Sequence, residues 1–114
     1  MSGHQTYDNN HRILQILQFL ENTPNDCFLL HALALENIKK GDLIEAQNLF
    51  ERVISTDPGY VGSYYHLGKL LESKGKKQKA MEIYEEGIKM AQQKADYHSM
   101  NELRSALDNL MEDE

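Results

Sequence analysis

Four lysines around a glycine form the densest cluster of basic side chains in the sequence. Lys74, Lys76, Lys77 and Lys79 flank Gly75. Such a cluster could attract a phosphate, a nucleic acid backbone or an acidic surface through its charge. No aromatic residue stands among the lysines, whereas surfaces that bind single-stranded nucleic acid combine cations with aromatic rings. We therefore interpret the cluster as a solvated connection between two helices, and keep weak binding of anionic ligands through the Lys74 to Lys79 turn as an alternative.

The other reactive residue types form no recognisable site. The histidines stand at positions 4, 11, 31, 66 and 98, without the paired helical spacing that a metal ion requires. Cys27 has no partner base in the sequence pattern, and neither a nucleophile motif nor a glycine-rich phosphate loop is present. We expect no enzymatic activity, no cofactor and no metal.

Length and charge point to a protein partner. The chain has 114 residues, enough for one domain with its own core, and a formal net charge of -6 that repels nucleic acid. A single cysteine suits a reducing compartment, and no stretch approaches the roughly 20 apolar residues that cross a bilayer. The expected location is cytoplasmic, with no membrane and no nucleic acid contact.

Apolar residues recur at intervals of three and four throughout the chain, which is the period of one face of a helix. No segment alternates as a strand would, so the predicted fold is all-α with about six antiparallel helices. Their predicted ranges are 11–22, 27–40, 43–56, 60–74, 77–94 and 97–111. Residues 1–10 are polar and are expected to form a flexible tail.

Two sequence signals resemble helix starts of the capping-box type. Asp42 is followed three residues later by Glu45, and Ser99 is followed by Glu102. In each pair the first side chain would accept a hydrogen bond from the first turn, and the glutamate would reach back. These pairs predict the starts of the third and sixth helices.

An offset of 34 residues relates many positions of the chain. Pro24 and Pro58 are separated by this distance. The same offset joins the pairs Leu33 and Leu67, Gly41 and Gly75, Ala46 and Ala80, Glu51 and Glu85, and Ile54 and Ile88. One helix-turn-helix unit is therefore used twice.

The second unit resembles the tetratricopeptide repeat, a family in which pairs of helices stack into a superhelix. The resemblance rests on an aromatic residue, Leu-Gly, a large residue, and then alanine with an aromatic four positions later. These are Tyr64, Leu67, Gly68, Leu71, Ala80 and Tyr84, and the preceding unit matches with Leu30, Leu33, Ala34, Ala46, Phe50 and Pro58. The pattern departs at Asn37, where a large apolar residue is usual, and at Gln92, where proline is usual.

The resemblance implies a small two-repeat protein flanked by capping helices. The repeats would occupy residues 27–60 and 61–94, with a half-repeat helix at 11–26 and a capping helix with an acidic tail at 95–114. The last helix would place Asn101 and Ser105 on its polar face, opposite an apolar stripe. Repeats of this kind need about three stacked helix pairs, which six helices supply.

The resemblance also implies a binding surface on the first helix of each repeat. The residues carried onto that surface are Phe28, His31, Leu35, Ile38, Tyr65, Lys69 and Glu72. A peptide or partner helix could place an apolar group near Leu35 and Tyr65 and an acidic group on Lys69. An equally open alternative is that Phe28, Leu35 and Ile38 complete the core. Leu35 replaces an asparagine that relatives use to hold a chaperone's terminal carboxylate, so that ligand is not expected.

The first predicted helix carries one apolar residue away from its stripe. Phe19 does not share the face of Ile13, Ile16, Leu17 and Leu20. An uncovered aromatic ring could lead to self-association. The expected function is therefore a protein-interaction module or adaptor, and the rival is a homo-oligomeric scaffold, such as a homodimer, that associates through Phe19.

Overall fold

The computed structural model describes the backbone over residues 2–112 and the side chains over residues 9–112. Within that range the chain forms α-helices joined by short turns and contains no strand. The helices are α1 Ser2–Asn22, α2 Cys27–Lys40, α3 Leu43–Thr56, α4 Gly62–Ser73, α5 Lys77–Gln93 and α6 Tyr97–Glu112. The all-α prediction is confirmed.

Helix α1 begins earlier than the sequence pattern indicates. It starts at Ser2, so the residues at 2–10 that we expected to form a flexible tail are helical. The amide of Asn9 donates to the carboxylate of Glu36 on α2 at 2.7 Å and to its backbone oxygen at 3.3 Å. A polar contact of this kind leaves no periodic pattern of apolar residues in the sequence. The spacing of apolar residues alone therefore predicts too late a start for α1.

The chain divides after Thr56 into two compact units. In the first unit α1 packs on α2, and α2 packs on α3. Its core consists of Leu30, Leu33, Ala34, Ala46, Leu49, Phe50 and Val53. The small side chains of Ala34 and Ala46 suit close helix approach, and the Phe50 ring fills space beside them.

Asn37 is a buried polar residue in the first unit. Its side-chain amide donates to the backbone oxygen of Leu33 at 2.9 Å within the same helix. This bond satisfies a buried donor, so the position tolerates an amide where the repeat pattern favours an apolar group.

In the second unit α5 packs on both α4 and α6. Its core consists of Tyr64, Leu67, Leu70, Leu71, Ala80, Tyr84, Ala91, Leu103, Ala106 and Leu110. A Cβ atom on Gly87 of α5 would lie 2.7 Å from Cβ of Tyr64 and 3.0 Å from Cδ1 of Leu103. Glycine is required there because three helices meet at one point.

Aspartates cap three of the helices. Asp26 accepts a hydrogen bond from the backbone of Leu29 at 3.0 Å, and Asp42 accepts one from Glu45 at 3.1 Å. At α6 the cap is Asp96, which accepts from the backbone and from the hydroxyl of Ser99 at 3.1 and 2.8 Å. The prediction that Ser99 itself caps α6 is therefore wrong, because the helix begins before it, at Tyr97.

The end of α5 is held by a lysine. The helix ends at Gln93, and Ala95 reverses the chain with a φ of 56°. The ammonium group of Lys94 donates to the backbone oxygen of Gly59 at 2.8 Å. This contact fixes the turn before α4 to the end of α5.

Candidate functional site

A pocket opens between α4 and α6 of the second unit. Both helices pack against α5, and they contact each other directly. The pocket has a volume of about 310 Å³. Its lining residues are Tyr65, Lys69, His98, Asn101, Glu102, Ser105, Ala106 and Asn109. The lining therefore combines one lysine, one glutamate, the rings of a tyrosine and a histidine, and several neutral hydrogen-bonding groups.

The position of α4 at this pocket follows from its packing on α5. Gly68 leaves space for the ring of Tyr84, since a Cβ atom at this position would lie 2.1 Å from the tyrosine Cε1. With Gly68 facing α5, the next residue, Lys69, turns toward solvent, and its side chain is 46% exposed. Tyr65 lies one turn earlier on the same side of the helix.

Lys69 is part of a small charged network. Its Nζ lies 5.8 Å from the centroid of the Tyr65 ring, within the range of a cation–π contact. The same Nζ lies 3.8 Å from Oε2 of Glu72, which is an ion-pair distance but too long for a hydrogen bond. That oxygen accepts a hydrogen bond from the hydroxyl of the buried Tyr84.

Ionisation of the neighbouring side chains is affected by burial. Burial lowers the pKa of His66, and the charge of Glu102 partly opposes this effect. Burial also raises the pKa of Tyr84, with further contributions from its hydrogen bond to Glu72 and from the Glu72 charge. Both groups are therefore held in their neutral forms near neutral pH.

The predicted surface residues are distributed over both units. In the second unit Tyr65 and Lys69 line the pocket, while Glu72 lies beside Lys69 outside the lining. In the first unit the predicted residues lie on α2, where Phe28 is 70% exposed and the other three, His31, Leu35 and Ile38, are half-buried. The His31 ring meets the Phe50 ring edge-on at 5.5 Å.

Sequence reasoning missed the contribution of α6 to the pocket. We interpreted that helix as a cap and assigned no site residue to it. Asn101 and Ser105 have the same four-residue spacing on α6 as Tyr65 and Lys69 on α4. This spacing is the signal that could have identified the opposite wall.

The remaining candidates do not join this pocket. The lysine cluster covers the turn between α4 and α5, where Gly75 has a φ of 74°, and the first residues of α5, which include Lys77 and Lys79. Phe19 lies on α1 and is 64% exposed. Over the side chains described, 9–112, no group of three potential ligands could hold a metal ion. No helix within residues 2–112 is long and apolar enough to cross a membrane.

Comparison with known proteins identifies the fold. A family model described as tetratricopeptide repeat matches residues 37–103. A tetratricopeptide repeat domain protein from Salinibacter ruber, solved by NMR, is 39% identical with a TM-score of 0.74, and the match covers 76% of this chain and 88% of that one. No curated protein sequence matches the chain.

More distant structures share the fold over nearly the whole chain. The TPR2B domain of yeast Sti1, solved in a complex with pHsp70, is 14% identical with a TM-score of 0.85, covering 97% of this chain and 89% of that one. The type III secretion translocator chaperone SycD of Yersinia enterocolitica is 13% identical with a TM-score of 0.82, covering 96% and 77%. The predicted fold class is confirmed, and the chain belongs to the tetratricopeptide repeat family, whose fold serves as a protein-interaction module.

Proposed function

We propose that the chain is a non-enzymatic adaptor that binds an acidic peptide segment of a protein partner in the pocket between α4 and α6. The observation that carries this proposal is the placement of Lys69 at the pocket, whose α6 wall consists of amide and hydroxyl groups together with His98, Glu102 and Ala106. A partner carboxylate would pair with the Lys69 ammonium group. In keeping with the reducing environment that a single cysteine suits, we place this activity in the cytoplasm.

The opposite wall provides groups suited to a peptide backbone. The side-chain amides of Asn101 and Asn109 can both donate and accept hydrogen bonds. The Tyr65 ring adds an apolar surface beside the lysine. A peptide with an acidic residue next to an aliphatic one could therefore pair its carboxylate with Lys69 and pack its aliphatic side chain on Tyr65, with the carboxylate directed away from Glu102, which also lines the pocket.

The proposed ligand is an internal acidic side chain. The Sti1 domain was solved in a complex with pHsp70, which shows that a domain with this fold can hold a partner. We do not extend that ligand to this chain, because Leu35 occupies a position where relatives use an asparagine. The apolar residues of α2, above all the exposed Phe28, offer the first unit a contact surface for an aliphatic partner.

The test is an NMR titration of the ¹⁵N-labelled chain with the blocked hexapeptide LAEAEL. We expect amide shifts on α4 and α6 and saturation in the micromolar to millimolar range. The Lys69→Ala variant should weaken binding several-fold, whereas Lys89→Ala, a matched change of an exposed lysine on α5, should not. Equal binding of the neutral peptide LAQAQL, or shifts confined to other helices, would contradict the proposal.

Self-association through α1 is a second candidate function. Leu14, Leu17 and Phe19 are exposed on this helix, with Leu14 60% and Phe19 64% accessible. Exposed apolar side chains of this size favour contact with a second copy or another protein. Light scattering after size exclusion should then show a wild-type dimer and a folded Phe19→Asp monomer. A wild-type monomer across a tenfold concentration range would remove this candidate.

A further inference from the structure

Among the positions at which the two repeats differ, three form one connected group of side chains in the second repeat. At the offset of 34 residues, Leu35 corresponds to Lys69, Ile38 to Glu72 and Phe50 to Tyr84. The first repeat is apolar at all three positions. In the second repeat all three are polar, and Glu72 contacts both of the others.

One oxygen atom of Glu72 serves both neighbours. Oε2 accepts the hydrogen bond from the Tyr84 hydroxyl and is also the carboxylate atom 3.8 Å from the Lys69 Nζ. An ammonium group that formed a hydrogen bond with this oxygen would approach to about 2.8 Å. A carboxylate oxygen can accept more than one hydrogen bond, so the tyrosine hydroxyl does not exclude Lys69 from Oε2. It orients the Glu72 carboxylate toward the buried ring and takes up part of its charge, and the Lys69 Nζ lies at 3.8 Å instead of at hydrogen-bonding distance.

We propose that Tyr84 is a positioning residue for partner binding: its hydroxyl engages Glu72 and so keeps the Lys69 ammonium group available for an acidic ligand. The proposal rests on the function proposed above for the α4–α6 pocket. Tyr84 is buried and does not line that pocket, so its hydroxyl acts on Lys69 through Glu72. Without the hydroxyl, Glu72 would pair closely with Lys69 and compete with the ligand carboxylate.

The chain offers well-matched variants for a test. Tyr84→Phe removes only the hydroxyl, and phenylalanine already occupies the equivalent position 50 of the first repeat. Tyr64→Phe is the control, because its hydroxyl donates to the backbone oxygen of Pro58 at 2.7 Å and contacts neither Glu72 nor Lys69. The double variant Tyr84→Phe with Glu72→Gln removes the competing charge as well.

Binding of the peptide LAEAEL should follow a defined order. We expect Tyr84→Phe to weaken binding about three- to fivefold, the size of a partly exposed ion pair, and the double variant to restore it. Tyr64→Phe should bind like wild type. Unchanged binding by Tyr84→Phe would overturn the proposal. So would a loss that Glu72→Gln does not restore, since the hydroxyl would then act only on structure.

A second measurement without ligand separates this inference from the proposed function. Lys69 is acetylated with an N-hydroxysuccinimide ester, and mass spectrometry follows the reaction with Lys89 as the internal reference. The acetylation rate reports the extent to which the Lys69 amine is paired with a carboxylate. We expect slower acetylation of Lys69 in Tyr84→Phe and recovery in the double variant. If LAEAEL does not bind wild type but this pattern holds, the ligand assignment fails and the positioning role stands. An equal Lys69 rate in wild type and Tyr84→Phe would refute the positioning role itself.

Discussion

Gly68 and Tyr84 occupy one shared space between α4 and α5. A Cβ atom on Gly68 would lie 2.1 Å from Cε1 and 2.6 Å from Cζ of the tyrosine ring. The ring is fully buried, so it has no open direction in which to move. Close packing of this kind makes even one added methyl group costly.

We predict that Gly68→Ala destabilises the second unit by about 1–3 kcal/mol, the usual cost of overpacking a core. Urea unfolding followed by circular dichroism measures this loss. Gly62→Ala, at the exposed first residue of α4, is the matched control and should be neutral or slightly stabilising. Equal stability of Gly68→Ala and Gly62→Ala would show that the Tyr84 ring can move to make room for the added methyl group.

The contact between Asn9 and Glu36 should anchor α1 on α2. The Glu36 side chain is nearly buried, and its carboxylate is held by Asn9 at 2.7 Å and by Lys39 at 3.3 Å. We predict that Asn9→Ala lowers the free energy of unfolding by about 1–2 kcal/mol, because it removes one partner of a buried carboxylate.

Hydrogen exchange of α1 and α2 measures the local effect of Asn9→Ala. The neighbouring exposed residue gives the control, since Asn10→Ala removes an amide of the same size. If both variants exchange alike, Asn9 does not hold the helix.

The cap of α6 should make stability depend on pH in the acidic range. Hydrogen bonds from the side chain and the backbone of Ser99 lower the pKa of Asp96 below its ordinary value of 3.8. A lowered pKa in the folded state means that the cap stabilises the fold above pH 3.8 and that this contribution is lost as the pH falls further. We therefore predict that Asp96→Ala lowers Tm at pH 7 and that its difference from wild type shrinks below pH 3.8.

Ser99→Ala separates the two possible caps of α6. It removes the hydroxyl donor but leaves the backbone N–H bonded to Asp96, so its effect on Tm should be smaller than that of Asp96→Ala. A larger effect of Ser99→Ala would identify Ser99 as the cap after all.

Tyr64 should make stability depend on pH in the alkaline range. Burial, followed by the charges of Glu86 and Asp57, raises the pKa of Tyr64 from 10.0 to about 12. Because the pKa is raised in the folded state, the contribution of the neutral Tyr64 hydroxyl to the free energy of unfolding is complete below pH 10. That contribution is lost as the pH rises through about 12. The Tyr64→Phe variant lacks this ionisation and should lose less stability over the same range.

Absorbance at the phenolate wavelength tests the same group directly. The difference between wild type and Tyr64→Phe should titrate near pH 12 in the folded protein. A difference that titrates near pH 10 would show that the hydroxyl is solvated.

Apolar spacing was sufficient to predict the helices, because their buried faces recur every three to four residues. It failed where the stabilising contact is polar. The early part of α1 contacts α2 through a hydrogen bond of Asn9 with Glu36, and α6 offers two candidate caps three residues apart, Asp96 and Ser99. Periodicity does not distinguish between such groups.

The candidate site was predicted on one side only. Tyr65 and Lys69 follow from the repeat pattern, because the pattern determines which face of α4 meets α5. The wall formed by α6 lies beyond the two 34-residue repeats at 27–60 and 61–94, so the offset between the repeats gives its residues no counterpart. The link from Lys69 through Glu72 to Tyr84 joins two helices, and a pairing of this kind becomes visible only when both are placed.

The two tyrosine–glycine contacts of α4 and α5 are reciprocal. Tyr84 of α5 lies against Gly68 of α4, and Tyr64 of α4 lies against Gly87 of α5. Sliding either helix by one turn would bring a ring against a bulkier residue in both contacts at once. The two contacts therefore favour one register of α4 on α5, because a one-turn slip would lose both of them together.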